Sequence, residues 1–304
     1  MSMLLSVLAR QVPLDVVRDG DIATLGFLSM PRPGMLTFVE SRKVLKALRR
    51  APRPLAVITS AEVAAALPPL DGLALADDPR LRFFELHNHL AREILFYGEH
   101  APTTIDPTAH VHPTASIAEL DVQIGARTFV GPHVTIQGRC RIGADVVVHP
   151  GVVLGAEGFQ TSRFGDAMLD MAHAGGIRID DGVVVHANAV VARGVFDEET
   201  VIGEGSRIGN LAFVSHNAQI GRRCIVGHGA AINGNVVVGD DAWIGPGSTV
   251  SDRLRVGPGA RVTLGAAVIH DVAAGQHVTG NVAVEHRRHL RHIAAIDGTM
   301  TRRL

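Results

Sequence analysis

Aromatic residues are scarce in this chain. They make up 4% of the 304 residues, with one tryptophan and one tyrosine, whereas glycine occurs 33 times. The scarcity of large rings argues against an aromatic core and favours one of small and β-branched side chains. The remaining composition, 46% hydrophobic and 19% charged, is ordinary for a globular protein.

The chain also lacks excess charge and long apolar runs. Its formal net charge of −1 gives no overall field that would attract nucleic acid or a membrane surface, so we expect neither partner. No apolar segment is long enough to span a bilayer, and no basic region precedes a long apolar run near the first residue. We therefore expect no stable membrane insertion and no signal peptide.

Cysteine is rare as well. The only two, Cys140 and Cys224, are far apart in sequence, and neither belongs to a Cys-x-x-Cys motif. This usage is typical of free thiols in a reducing compartment, so we expect a cytoplasmic protein.

A β-branched residue stands at every sixth position from residue 202 to residue 268. Neither a helix, with its period of 3.6, nor a half-buried strand, with its period of 2, requires that spacing. It is typical of a triangular coil in which each hexapeptide forms one face and points one aliphatic side chain inward. Such coils stack as parallel strands about 4.8 Å apart. The repeat predicts a parallel β-helix, carried by Ile202, Ile208, Val214, Ile220, Val226, Ile232, Val238, Ile244, Val250, Val256, Val262 and Val268.

The same register begins near Ile105, slips twice, and ends after Val278, which gives roughly eight coils. Glycines beside the aliphatics, such as Gly203 and Gly245, are expected at tight corners that require a positive φ. The register breaks at residues 155–176. We expect this excursion to be a loop thrown outward from a corner, where such loops often shape a site, although a tolerated surface insertion would give the same break.

The beginning and end of the sixfold register divide the chain into three predicted domains. Residues 1–100 are expected to form a small α/β domain, residues 101–280 the β-helix with its excursion at 155–176, and residues 281–304 a helical C-terminal segment. In the first domain, local patterns predict helices at 2–10, 40–49 and 79–97 and strands at 36–39, 55–59 and 73–76.

Among the sixteen histidines, His216 in the stretch FVSHNAQIG is the candidate base. It stands two residues after an inward valine, at a position expected to face outward near a corner. Imidazole is the side chain best suited to removing a proton near neutral pH, which acyl transfer to an amine or hydroxyl requires. From position alone, a histidine that is merely solvated is the simpler interpretation.

Arg253 follows two coils later and is expected about 10 Å up the stack on nearly the same side. A guanidinium there could bind phosphate or stabilise an oxyanion, or it could be an ordinary surface arginine. No two histidines of the coil show the His-x4-His spacing of zinc-binding β-helices. We therefore expect no metal site.

The order of these parts resembles the UDP-3-O-(3-hydroxyacyl)glucosamine N-acyltransferases of lipid A synthesis over nearly the whole chain. The resemblance is carried by GDIATLGFLSM and LTFVES in the first domain, GAEGFQ in the excursion, ARG at 192–194, and SHNAQIG. It implies a left-handed β-helix, a homotrimer with sites between subunits, and an acyl carrier protein as donor. It also implies that the N-terminal domain grips uracil and that His216 is the general base. The implied substrate-binding residues are Phe38, Ser41, Phe159, Gln160, Asn210, Asn217 and Arg253.

Several family positions differ in this chain. Aspartates of the family fall on Ala192 and Gly209, a second histidine falls on Arg253, and the uracil clamp has Ser41 and Val44 where the family has asparagine and tyrosine. The family's Lys-Ile-Pro-Gln stretch is replaced around residues 171–174. Because His216 and Asn217 are kept, these changes favour a paralogue that acts on a different nucleotide-linked amino sugar or with a different acyl donor.

The leading hypothesis is thus a trimeric, metal-independent N-acyltransferase without a tightly bound cofactor, whose thioester co-substrate is carried by acyl carrier protein or coenzyme A. Two alternatives stay open: an acetyl-CoA-dependent nucleotide-sugar acetyltransferase, and a non-catalytic trimeric scaffold. The C-terminal segment is expected to dock an acidic carrier protein through Arg287, Arg288, Arg291, Arg302 and Arg303.

Overall fold

The computed structural model describes residues 2–92, 96–98, 100–280 and the single residues 287, 291 and 295. The helix predicted at 285–296, and with it the docking of a carrier protein, falls almost entirely outside the described residues and stays a prediction. Among the described residues, no helix is long and apolar enough to cross a membrane.

In its described residues, the N-terminal part consists of seven strands and four short or medium helices. The strands are β1 Met3–Leu4, β2 Asp15–Arg18, β3 Asp21–Ile22, β4 Thr24–Leu25, β5 Met35–Val39, β6 Leu55–Thr59 and β7 Gly72–Leu75. The helices are α1 Leu5–Leu8, a 3₁₀ turn Arg42–Val44, α2 Leu45–Arg50, α3 Ala61–Ala64 and α4 Pro79–Arg92.

Five of the strands form one sheet in the order β2-β7-β6-β5-β4, which is parallel except for β2. Strands β1 and β3 form a separate antiparallel pair. The helix predicted at 2–10 is therefore wrong at its start, and only α1 is helical there.

Helix α4 covers one face of this sheet. Asp78 precedes it and accepts a hydrogen bond from the Leu81 backbone N–H at 2.9 Å, which satisfies one of the free donors of the first turn. Its apolar stripe, including Phe83, Phe84 and Leu90, is completely or almost completely buried. The helix therefore gains its stability from packing on the sheet.

Residues 104–278 form a parallel β-helix of three sheets, as the sixfold repeat predicts. Face A consists of Thr104–Ile105, Val122–Ile124, Cys140–Ile142, Gly176–Ile179, Glu199–Ile202, Gln219–Ile220, Val237–Val238 and Arg255–Val256. Face B consists of His110–Val111, Phe129–Val130, Val147–Val148, Val184–Val185, Arg207–Ile208, Ile225–Val226, Trp243–Ile244, Arg261–Val262 and His277–Val278. Face C consists of Ser116–Ile117, Thr135–Ile136, Val153–Ala156, Val190–Ala192, Phe213–Val214, Ala231–Ile232, Thr249–Val250 and Ala267–Val268.

The repeat residues form the core of the coil. Val214, Ile232 and Val250, which succeed one another on face C, are all completely buried. In the two-residue strands, the residue before each of them points outward, because side chains alternate along a strand. The register thus fixes which side chains the coil offers to its surroundings.

The glycines beside the repeat positions have a different role from the expected one. A Cβ on Gly203 would lie 2.6 Å from the carbonyl carbon of Gly221, and one on Gly245 would lie 2.6 Å from the Leu264 nitrogen. Neither glycine has a positive φ, so the expectation of left-handed corners at these positions is wrong. They are needed because successive coils approach too closely for a side chain. The positive φ falls two residues later in these corners, on Gly205 and Gly247, and at other corners on non-glycine residues such as Asn217.

The excursion is more ordered than a loop. It contains an antiparallel hairpin of Thr161–Phe164 and Ala167–Asp170. The stretch after the hairpin is fastened to helix α4, where Asn88 accepts a hydrogen bond from the Ala172 N–H and His87 Nε2 lies 2.8 Å from the Ala172 carbonyl oxygen. The excursion therefore joins the N-terminal part to the coil. The proposed limits of the three domains stay a prediction.

Candidate active site

The site lies on a corner column of the coil. His216, Gly234 and Asp252 are 18 residues apart in sequence, one full coil each, and stand one above another. Two corner hydrogen bonds fix this stacking, from the Asn235 N–H to the His216 carbonyl oxygen at 3.0 Å and from the Arg253 N–H to the Gly234 carbonyl oxygen at 2.9 Å.

His216 points away from the coil core but is only 7% exposed, in contrast to the solvated position expected from the sequence. A Cβ on Gly234 would lie 2.5 Å from Cε1 and 2.6 Å from Nε2 of the His216 ring. A Cβ on Gly158, in the excursion, would lie 3.3 Å from Cδ2 of the same ring. The imidazole is thus held between two residues that must lack a side chain.

Asn217 sets the tautomer of this ring. Its Oδ1 accepts a hydrogen bond from the Val195 backbone N–H at 3.0 Å, which identifies that atom as the oxygen. The His216 Nδ1 lies 3.2 Å from the same oxygen, so Nδ1 carries the ring proton and donates a hydrogen bond to Asn217. The lone pair is therefore on Nε2, the atom beside Gly234, as a base requires.

Burial lowers the pKa of His216 below its usual value, and Arg253 acts in the same direction. The hydrogen bond to Asn217 and the charge of Asp252 oppose this by raising the pKa. Because the pKa is lowered, the ring is neutral at pH 7 and ready to accept a proton.

A second imidazole lies against the first. His173 is 3% exposed, and its ring centroid is 5.6 Å from that of His216 in an edge-to-face arrangement. Its Nδ1 lies 3.1 Å from the Met171 carbonyl oxygen, whereas its buried Nε2 has no hydrogen-bond partner among the described residues. Burial, and next the proximity of His216, lower the pKa of His173 to about 4, so it stays neutral. The sequence analysis missed this residue.

A cavity of about 340 Å³ opens beside His216, between the coil and the N-terminal part. The coil contributes Asn235, Asp252 and Arg253 to its wall, and the excursion contributes Gln160. The opposite wall consists of Phe27, Leu28, Ser29, Thr37, Phe38, Val39, Glu40, Ser41, Val44, Arg80 and Phe84. An aromatic cluster backs this wall, with the rings of Phe27 and Phe38 meeting edge to face at 6.4 Å.

The structure brings most of the expected site residues to this cavity. His216, Phe38, Ser41, Gln160 and Arg253 line it, and Asn217 supports His216 from behind. Two expected residues do not line it. They are Asn210, which is exposed and accepts a corner hydrogen bond from the Gly229 N–H, and Phe159, which is 89% exposed.

The described residues show no group of three or more histidine, cysteine or acidic side chains placed to hold a metal ion.

Comparison with known proteins identifies both a repeat family and relatives of this chain. The family model described as bacterial transferase hexapeptide (six repeats) matches residues 121–156 and 199–234. A UDP-3-O-acylglucosamine N-acyltransferase from Coxiella burnetii is 30% identical over 241 residues, which cover 70% of this chain and 69% of that protein. The chain belongs to the UDP-3-O-acylglucosamine N-acyltransferase family.

Membership of this family makes the protein an acyltransferase and its coil a left-handed β-helix, as the resemblance implied. A second relative, from Paracidovorax citrulli and of the same name, is 31% identical over 219 residues, covering 66% of this chain and 58% of that protein. Among solved structures, a UDP-N-acetylglucosamine acyltransferase from Campylobacter jejuni is 18% identical with a TM-score of 0.47, covering 59% of this chain and 72% of that chain.

Proposed function

We propose that this protein transfers an acyl group from a thioester to the amine of a nucleotide-linked amino sugar, as a step in the synthesis of lipid A or a related surface glycan. The observation that carries the proposal is the arrangement around His216, a neutral imidazole with its Nε2 lone pair beside a cavity of about 340 Å³. In the proposed step, Nε2 takes a proton from the amine as the C–N bond forms. The C–S bond then breaks, and the leaving thiolate takes the proton back.

The walls of the cavity suit a nucleotide sugar. Phe38 and Phe27 offer aromatic surface for a base, and Ser41 offers a hydroxyl. The guanidinium groups of Arg80 and Arg253 are available for a diphosphate or for the oxyanion of the reacting carbonyl. The chemistry of these groups supports a nucleotide sugar as the class of acceptor.

A homotrimer is part of the proposal. The first residues of the face C strands, which point outward, are all uncharged: Ser116, Thr135, Val153, Val190, Phe213, Ala231, Thr249 and Ala267. A sheet face of this kind is suited to burial against a second copy of the chain. Asn210 and Phe159 would then take part in a site from a neighbouring subunit. We place the reaction in the cytoplasm, which the two free, buried thiols support.

Turnover of thioesters tests the proposal. The purified protein is offered UDP-, dTDP- and GDP-linked amino sugars with three donors: acyl carrier protein carrying a hydroxyacyl chain, the matching acyl-CoA, and acetyl-CoA. We expect transfer from a long-chain donor, and at least about a hundredfold slower turnover in His216→Ala. His277→Ala, a change on the last strand of face B, serves as the control.

The other outcomes decide between the alternatives. Transfer from acetyl-CoA alone would make the protein a nucleotide-sugar acetyltransferase. No transfer with any pair, combined with tight binding of a sugar nucleotide, would indicate a binding scaffold. Turnover in His216→Ala equal to that of the unchanged protein would refute the role of the base.

A further inference from the structure

Gly234 stands between His216 and Asp252 on the corner column. Its missing side chain makes room for the His216 ring, whose Nε2 would lie 2.6 Å from a Cβ at this position. Asp252 is tied to the same glycine, since its Oδ1 accepts a hydrogen bond from the Gly234 N–H at 3.1 Å. The imidazole and the carboxylate are thus neighbours on the corner column, and both side chains line the cavity.

The carboxylate of Asp252 has no ion-pair partner within 4.0 Å among residues 2–92, 96–98 and 100–280. Two other aspartates of the coil corners are paired, Asp240 with Arg222 and Asp241 with Arg223. Glu40 also lines the cavity, but from the N-terminal wall, whereas the charge of Asp252 acts to raise the pKa of His216. An unpaired carboxylate beside a neutral base is suited to binding a protonated amine, which is a cation and a hydrogen-bond donor.

We propose that Asp252 selects the acceptor by binding its amine as an ammonium ion, and so favours N-acylation over O-acylation. This inference rests on the proposed function. A sugar amine beside electron-withdrawing groups titrates near the pKa of an α-amino group, about 8, so most of it is protonated at pH 7. A charge-assisted hydrogen bond to Asp252 holds that ammonium in the cavity, and a hydroxyl in the same place gains much less.

The protons balance in this scheme. The ammonium loses one proton to water before attack, and His216 Nε2 takes the second as the C–N bond forms. The departing thiolate then receives that second proton as the C–S bond breaks. The sum is one amide, one thiol and one proton released to solvent for each ammonium consumed. Asp252 acts by binding and orientation and ends each cycle ionised.

Equilibrium binding tests this inference independently of turnover. The probes are UDP-3-O-acylglucosamine and the matching UDP-3-O-acylglucose, which carries a hydroxyl in place of the amine. At pH 7 we expect the unchanged protein to bind the amine about tenfold more tightly than the hydroxyl, and Asp252→Asn to bind the two equally. The preference should shrink as the pH rises through about 8, because the amine then loses its charge.

Glu40→Gln is the matched control, since it removes a carboxylate from the other wall of the same cavity, and we expect it to keep the preference. Equal binding of amine and hydroxyl by the unchanged protein would overturn the role of Asp252 while leaving nucleotide-sugar binding intact. Loss of the preference in Glu40→Gln but not in Asp252→Asn would also overturn it. If neither probe binds, the proposed acceptor itself is wrong.

Discussion

Gly234→Ala is the sharpest perturbation of the site that the structure offers. The new methyl group would lie 2.5 Å from Cε1 and 2.6 Å from Nε2 of His216, about 1 Å closer than an ordinary contact. The Gly234 backbone has no positive φ, so alanine fits its conformation. The imidazole must move aside, and the ring is the end of a side chain that can turn away. The cost therefore falls on the position of the base more than on the fold.

A displacement of about 1 Å in a catalytic group lowers turnover by about a hundredfold. We expect Gly234→Ala to lower kcat/KM for the preferred thioester and acceptor by that factor, with a change in the free energy of unfolding of about 1 kcal/mol or less. The assay pairs steady-state thioester turnover with urea unfolding of the same preparations.

Gly280→Ala is the control, because the nearest atom to its Cβ would be an Ala266 atom 3.9 Å away. It should leave both quantities unchanged. Full activity in a correctly folded Gly234→Ala protein would refute the placement of the base, because the ring would then tolerate a position that the structure forbids.

Three further predictions concern stability, assembly and base selection. Burial lowers the pKa of His173 to about 4, whereas in the unfolded chain it is about 6.5. The free energy of unfolding should therefore be highest above about pH 6.5 and fall as the pH is lowered toward 4, because the unfolded chain then binds a proton that the folded protein does not. His173→Phe should reduce this fall by about 3 kcal/mol, measured by urea titrations from pH 7 to 4. An unchanged slope with pH would contradict this. Sedimentation should show a trimer at micromolar concentration, which Ala231→Glu on face C dissociates and Val237→Glu on face A does not; a monomeric unchanged protein would rule the assembly out. Because Val44 stands in the cavity where the family has a tyrosine, calorimetry should find UDP-sugars bound no more than about tenfold tighter than dTDP- or GDP-sugars, and a much larger preference would disprove the weakened clamp.

Much of the fold could be predicted from the sequence because its signal is local and periodic. The inward residues of the coil, such as Val214 and Ile232, recur at a fixed spacing that only a six-residue face explains. The reason for the glycines was harder to see. Glycine is required at 203 and 245 because the backbone of the next coil, which is distant in sequence, lies too close for a Cβ. Local propensity at these positions predicts only a turn.

The position of the candidate base at the cavity could be predicted, but its surroundings could not. His216 stands in a sequence motif. His173 contacts it from the excursion, where the sequence has no repeat from which the position of a residue could be predicted. The burial of His216 likewise depends on Gly158, which is supplied by that excursion. The spacing of 18 residues from His216 through Gly234 to Asp252 was available in the sequence, and it identifies the column once the coil length is known.

The chemical nature of the product tests the central claim most directly. The protein is incubated with a 3-hydroxyacyl thioester and UDP-3-O-acylglucosamine, and the product is weighed by mass spectrometry before and after mild alkali, which cleaves esters and spares amides. The account predicts a new acyl group that survives alkali, formed by the unchanged protein and at least about a hundredfold more slowly by His216→Ala. A new acyl group that alkali removes, or one formed equally fast without His216, would contradict it.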